Sequence, residues 1–96
     1  MTDLTDTNHA FESHCEAGAE LFLIKNRQYG NSIVRTGVLG ACVELIGACA
    51  RLPQLVLKAM DHGRSTPEVL RDVFLDIHNY ANIALMMLEQ ENWEGE

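Results

Sequence analysis

The stretch Arg71-Asp72-Val73-Phe74-Leu75-Asp76-Ile77-His78-Asn79-Tyr80 decides the fold of this chain. Its apolar positions recur with a period close to 3.6 residues, and the same seam continues as far as Leu88. Asp72, Asp76 and Asn79 share the neighbouring face, because residues three or four apart on a helix lie one turn apart. Ionised carboxylates beside a buried seam are costly unless a cation or a donor compensates them. The stretch therefore predicts a long buried helix with a polar site along one edge.

Two other parts of the chain can supply that compensation. A cationic segment runs from Lys25 to Gly30, and Glu44 stands as a single charge in the apolar run before Arg51. A lone glutamate in such a run is either a paired surface residue or a ligand that shares a cation with other carboxylates. Both interpretations of Glu44 stay open from the sequence.

The remaining periodicity predicts further helices and no strands. The first helix is expected over 8–25 with Thr7 or Asn8 as its cap, the second over 36–52 and the last over 66–91. Ser65 with Glu68 fits a capping box at the start of the last helix. Pro53 either lies in the first turn of a short segment over 54–60 or kinks a longer helix. The prediction is one all-α domain over 1–96, a small antiparallel bundle of three to four helices with flexible ends at 1–7 and 92–96.

The size of the chain favours self-association. Ninety-six residues, 47% hydrophobic but only 6% aromatic, give a thin aliphatic core. We expect a homo-oligomer, a dimer or a tetramer, that buries more surface than one chain can. Ile83 and Met87, one turn apart and off the main seam, are the predicted oligomer contact.

Charge and cysteine usage narrow the function classes. A net charge of -7 disfavours coating of DNA or RNA, whereas all seven Lys and Arg residues lie between Lys25 and Arg71, where a small phosphate ligand would need them. Three cysteines without Cys/His ligand spacing argue against zinc and favour a reduced, cytoplasmic setting. The start of the chain is acidic and resembles no signal peptide, and the apolar run 38–50 is too short to span a membrane.

The segment from Lys25 to Ser32 has two possible interpretations. Lys25, Arg27 and Tyr29 beside Gly30 make a platform for phosphate and base, since Lys and Arg supply charge and Tyr can stack. A plain helix C-terminus also favours cations in the last turn and glycine just beyond it. Residue composition alone does not separate the two.

The order of these motifs resembles a known family. Lys-Asn-x-x-Tyr-Gly-Asn-Ser at residues 25–32, Ala-Arg-Leu around Arg51 and Asp-x-x-x-Asp-x-x-Asn-Tyr-Ala at residues 72–81 resemble the three signatures of the nucleotide modification associated domain, type one. That family comprises small helical proteins of phages and bacteria. It is similar in turn to the MazG-like all-α nucleotide pyrophosphohydrolases, in which glutamates and an aspartate on two helices hold Mg²⁺.

The resemblance implies a site and a cofactor. Glu44 and Asp76 match catalytic carboxylates, and Glu44, Asp72 and Asp76 would hold Mg²⁺, a cation that prefers oxygen ligands and clamps phosphates. Lys25, Tyr29, Arg51 and Asn79 would contact the phosphate, base or sugar of a nucleotide. The chain departs from the family pattern at two positions, because Ala41 stands three residues before Glu44 and Val73 three before Asp76.

Two function hypotheses and one structural alternative follow. The first is a Mg²⁺-dependent nucleoside or deoxynucleoside triphosphate pyrophosphohydrolase of phage or bacterial nucleotide metabolism. The second is a non-catalytic oligomeric module that binds a nucleotide or a partner protein, which the reduced carboxylate set supports. In the structural alternative, Asp72 and Asp76 pair with Arg51 or Arg71 and bind nothing.

Overall fold

The chain folds into three helices, as a computed structural model shows for residues 3–32, 35–61 and 67–90. The helices are α1 (Leu4–Tyr29), α2 (Gly37–Asp61) and α3 (Pro67–Gln90). The described ranges contain no strand, which confirms the all-α prediction. The predicted capping box at Ser65, together with His62 and Trp93, lies outside the described residues.

α1 is longer at both ends than the sequence predicted. It begins at Leu4, because the side chain of Asp3 accepts a hydrogen bond from the backbone N–H of Asp6 and so caps the first turn. The predicted caps Thr7 and Asn8 are therefore wrong. At the other end Gly30 adopts a left-handed conformation with φ 57°, and its N–H donates to the carbonyl of Asn26. The cationic segment is thus the last turn of α1, as the helix C-terminus interpretation expected.

α2 runs without interruption through Pro53. Of the two alternatives for this proline, the longer helix is the one observed. A proline inside a helix leaves a carbonyl of the preceding turn without its N–H partner. Pro53 lies on an exposed face of α2, where water can hydrate that carbonyl.

α3 is the central helix. It packs along α2 and, over a shorter length, against α1, whereas α1 and α2 barely touch. The core is aliphatic and small: Ala41, Ala48, Val73, Leu75, Ile83 and Met87. Ile83 is 1% exposed and Met87 4%, so both are core residues of the single chain. The prediction that this pair forms an oligomer contact is wrong, because their side of α3 is covered by α2 and by Phe22 of α1.

The three helices form an open arrangement. The Cα radius of gyration is 15.8 Å, against roughly 12.5 Å for a compact domain of this length. The accessible surface is 7520 Å², whereas a compact monomer of 10.7 kDa exposes on the order of 5500 Å². α2 is apolar and yet largely exposed, since only 11% of its most apolar window is buried. By length and composition alone this helix could cross a membrane, since it extends well beyond the apolar run expected to end at Ala50.

Candidate functional site

A small cleft between α1 and α3 collects most of the predicted site residues. Its volume is about 190 Å³. The lining side chains come from one face of each helix, at three- and four-residue spacing: Phe22, Lys25, Asn26 and Tyr29 of α1, and Asp76, Asn79 and Tyr80 of α3. The cleft therefore combines a cation, a carboxylate, two amides and three aromatic rings.

An ion pair crosses the cleft. Lys25 Nζ lies 3.1 Å from Asp76 Oδ1, with the two side chains 41% and 23% exposed. The pair confirms that the cationic segment compensates a carboxylate of α3, although Lys25 replaces the Arg51 or Arg71 of the structural alternative. A pair this exposed contributes about 0–1 kcal/mol to folding, so an anionic ligand can compete for the ammonium group at little cost.

Asn79 joins α3 to α1. Its Nδ2 donates to the Gly18 carbonyl at 3.0 Å, and its Oδ1 lies 3.0 Å from His78 Nδ1, which fits a histidine tautomer protonated at that nitrogen. The side chain is 8% exposed. Gly18 permits this contact, because a Cβ there would lie 2.8 Å from His78 Nδ1 and 3.1 Å from Asn79 Oδ1. Asn79 thus forms part of the cleft wall while its amide group is engaged within the chain.

Asn26, in the cleft wall, has one buried acceptor without a donor. Its Nδ2 donates to Asn31 Oδ1 at 2.7 Å, whereas its Oδ1 is buried and accepts no hydrogen bond. A buried acceptor without a donor costs about 1–3 kcal/mol. Because this oxygen is shielded from solvent, it is not open to a ligand in the cleft.

The hydroxyl of Tyr80 lies within the field of four charged groups. Burial is the largest cause that raises the pKa of Tyr80 above 10.0, and the carboxylates of Asp76 and Glu44 raise it further. Lys25 and Arg51 lower the pKa of Tyr80 and oppose this effect. Glu44 and Arg51, both exposed residues of α2, therefore act on the Tyr80 hydroxyl through their charges, although neither lines the cleft.

The predicted site residues separate into three groups. Lys25, Tyr29, Asp76 and Asn79 line the cleft, whereas Glu44 and Arg51 do not line it and act on Tyr80 only through their charges. Asp72 is exposed one turn before Asp76 and does not line it.

The three carboxylates predicted as Mg²⁺ ligands do not form a ligand cluster. Within residues 3–32, 35–61 and 67–90, no group of three or more His, Cys, Asp and Glu side chains is placed to hold a metal ion. Asp76 instead directs an oxygen at Lys25, and Asp72 faces solvent. Glu44, Asp72 and Asp76, as the described residues place them, therefore do not fit a Mg²⁺ site built from protein ligands alone.

Three lining residues were not among the predicted ones. Asn26 and Tyr80 stand inside the motifs at residues 25–32 and 72–81, next to residues that the sequence did single out. Phe22 lies one turn before Lys25, and its apolar spacing indicated only a core position. Only the pairing of α1 with α3 distinguishes these residues from ordinary core and cap residues.

A larger groove lies nearer the start of α3. Its volume is about 570 Å³, and its lining is mostly aliphatic and aromatic: Phe11, His14, Cys15, Leu70, Arg71, Phe74, Leu75 and His78. The smaller cleft is the better candidate site, because specific recognition needs convergent polar groups as well as volume.

Fold and site together define a small all-α protein with a polar cleft between its first and third helices. Comparison of the chain with protein-family models, with curated proteins and with solved structures finds no match. The similarity to the nucleotide modification associated domain stays a prediction, and the geometry of the cleft carries the functional argument.

Proposed function

We propose that the α1–α3 cleft binds a nucleotide. The observation that carries this proposal is the convergence of an exchangeable cation, aromatic rings that can stack and the half-buried carboxylate of Asp76 in one cleft. A nucleotide offers a partner for each, since its phosphate is an anion, its base has a π-face, and its sugar and base carry N–H or O–H donors. Few other small metabolites combine all three.

Each group has a role that follows from its position. Lys25 neutralises phosphate when it leaves Asp76, and the freed carboxylate of Asp76 accepts hydrogen bonds from sugar hydroxyls. Tyr29 is 64% exposed at the end of α1 and offers a ring face for the base. The last carbonyls of α1 carry partial negative charge, so phosphate binding depends on Lys25 and Arg51 and gains nothing from that helix end.

The dimensions of the cleft limit how much of the ligand it encloses. Pockets that enclose a whole small molecule have volumes of about 300–1000 Å³. A cleft of about 190 Å³ holds one part of a nucleotide. The remaining part would extend beyond the cleft, and phosphates that reach toward α2 would meet Arg51 as a second cation.

Hydrolysis of the bound nucleotide would add a catalytic step to the proposed binding. Glu44 and Asp76, the two predicted catalytic carboxylates, both act on the Tyr80 hydroxyl and so lie in one neighbourhood. Because Glu44, Asp72 and Asp76 form no ligand cluster among the described residues, we place nucleotide binding ahead of Mg²⁺-dependent pyrophosphate release. A cytoplasmic binding module is the form that the residues support best.

The test is calorimetric titration with a panel of nucleoside and deoxynucleoside triphosphates, with and without Mg²⁺. We expect saturable binding that Lys25→Met weakens about tenfold or more, since it removes a charge-assisted contact worth about 1.5–3 kcal/mol. Arg27→Met is the matched control, because Arg27 is an exposed cation of the same helix turn that does not line the cleft.

Product analysis of the same mixtures separates binding from turnover. Pyrophosphate that appears only with Mg²⁺ and is lost in Asp76→Asn would establish the pyrophosphohydrolase. Binding without pyrophosphate would establish the non-catalytic module. Equal affinities for the native chain, Lys25→Met and Arg27→Met would show that the nucleotide does not bind in this cleft.

A further inference from the structure

α2 carries a second apolar face that no part of the described chain covers. We call it the outer stripe, and its residues alternate at four- and three-residue spacing: Leu39, Val43, Ile46, Ala50, Pro53, Leu57 and Met60. All seven are exposed. The stripe extends for roughly 30 Å along the helix at a rise of about 1.5 Å per residue.

The outer stripe lies opposite the face that packs in the core. The inner face consists of buried and half-buried residues: Ala41, Leu45, Ala48, Leu52, Leu55 and Ala59. Along the outer stripe, Leu39, Ile46 and Met60 are 76%, 67% and 71% exposed. With Val43 and Leu57 these side chains present on the order of 500 Å² of apolar surface, near the upper limit of about 600 Å² for the largest patch on a typical monomer.

We propose that a second copy of this chain covers the outer stripe, with the two α2 helices packed antiparallel across a two-fold axis near Ala50. Spacing that alternates between three and four residues is what lets two helices interlock along a shared seam. The stripe is also symmetric about its centre. An antiparallel pair centred there places Ile46 against Pro53, Val43 against Leu57 and Leu39 against Met60, with only the small Ala50 at the axis.

Charge along one edge of the stripe favours the antiparallel direction. Glu44, Arg51 and Lys58 follow each other at seven-residue spacing and so form one ridge between the outer stripe and the inner face. In the antiparallel pair, Glu44 of each copy lies at the level of Lys58 of the other. In a parallel pair the two-fold axis runs along the helices and places the two ridges on opposite edges of the seam, so Glu44 would have no Lys58 on its side.

The same ridge argues against a bilayer as the occupant. Lipid around α2 would have to accommodate Glu44 and Arg51 near the middle of the hydrophobic run, at a cost of a few kcal/mol each. A second copy leaves the ridge in water. The area also allows a dimer, because the stripes of two copies together offer on the order of 1000 Å², which reaches the minimum of about 1000 Å² for a specific interface.

Cys49 gives a direct test of direction and register. It is exposed and flanks the stripe next to Ala50, so in the proposed dimer it lies beside Cys49 of the other copy. A variant that keeps only Cys49, with Cys15→Ala and Cys42→Ala, should form a covalent dimer with a short bifunctional thiol reagent at micromolar concentration. The matched variant that keeps only Cys15 should stay uncrosslinked, because Cys15 lies on α1 in the groove away from the stripe.

Solution mass gives the second test, and it uses no nucleotide, so its outcome is independent of the proposed function. The native chain should show twice the monomer mass of 10.7 kDa by sedimentation or light scattering. Ile46→Glu should reduce it to one chain while helicity by circular dichroism is retained. Leu85→Glu is the matched control, because Leu85 is 63% exposed on α3, outside the stripe, and its substitution should leave the dimer intact.

Three results would overturn the proposal. One is a native chain that stays monomeric at about 100 μM, far above the concentrations at which specific dimers associate. Another is equal crosslinking of the Cys49 and Cys15 variants. The last is a monomer that floats with neutral lipid vesicles through α2, which would assign the stripe to a membrane.

Discussion

At the residue scale, Tyr80 reports on the whole candidate site. Its hydroxyl is partly buried, and its ionisation depends on two carboxylates and two cations from all three helices. An anionic phenolate there loses hydration and meets the charges of Asp76 and Glu44, so the neutral form is favoured. The pKa of Tyr80 is therefore a probe for the distances between groups that lie far apart in the sequence.

Removal of the nearest carboxylate should change that pKa in a known direction. In a Tyr29→Phe background, where Tyr80 is the remaining tyrosine, Asp76→Asn should lower the pKa of Tyr80, since it removes a charge that raises it. Ultraviolet difference absorbance of the phenolate measures the change. Asp72→Asn is the control, because Asp72 is not among the groups that shift Tyr80, and an equal decrease in both variants would contradict the geometry.

The same shift fixes the sign of a pH effect on stability. A folded pKa above 10.0 means that the folded chain binds this proton more tightly than the unfolded chain. The contribution of Tyr80 to the free energy of unfolding is therefore complete below pH 10. It is lost as the pH rises through the pKa that Tyr80 has in the folded chain.

At the element scale, two glycines distinguish a helix contact from open space. Gly18 of α1 lies against His78 and Asn79, whereas a Cβ on Gly47 of α2 would meet nothing within 4 Å. Both residues cost their helices about 1 kcal/mol relative to alanine. Only at Gly18 does the described chain give a reason for that cost, because it lets α1 approach α3.

Alanine substitution at these two positions should have opposite effects. Gly18→Ala should lower the free energy of unfolding by about 1 kcal/mol, since overpacking costs about 1–3 kcal/mol and exceeds the gain in helix propensity. Gly47→Ala should raise it by up to about 1 kcal/mol. Urea unfolding of dilute, monomeric protein measures both, and a destabilising Gly47→Ala would contradict the open surroundings.

The sequence predicted those parts of the structure that depend on local pattern. The apolar seam of α3 predicts Val73 as a core residue. The cost of an ionised Asp76 carboxylate beside that seam predicts a compensating cation nearby, such as Lys25. Periodicity does not say which apolar side meets another helix of the same chain, so Ile83 was assigned to an oligomer contact. The hydrogen bond from Asn79 to Gly18 joins residues 61 positions apart, and no local signal encodes it.

At the scale of the whole molecule, net charge opposes the proposed dimer. Each chain carries a formal charge of -7, so two copies repel each other at low salt. The Debye length falls from about 30 Å at 0.01 M to about 8 Å at 0.15 M ionic strength, which screens most of this repulsion. Apolar contacts along the outer stripe are not weakened by such a change.

The dimer should therefore tighten as salt is added. We expect the dissociation constant to fall at least about tenfold between these two ionic strengths, as the screened repulsion of about 1.4 kcal/mol or more is removed. Sedimentation equilibrium at both salt concentrations measures it. A dimer that dissociates on addition of salt would instead depend on ion pairs, and the outer stripe would not be its main contact.

The sparse contact between α1 and α3 has a thermodynamic consequence. The walls of the cleft belong to two helices that the chain itself joins only weakly, and the hydrogen bond from Asn79 closes one end of that junction. A ligand that touches both walls favours the docked position of α1. Its free energy of binding therefore adds to the free energy of unfolding. At one hundred times its dissociation constant, such a ligand adds about 2.7 kcal/mol to the stability of the fold, so the occupied and the empty protein would melt at clearly different temperatures.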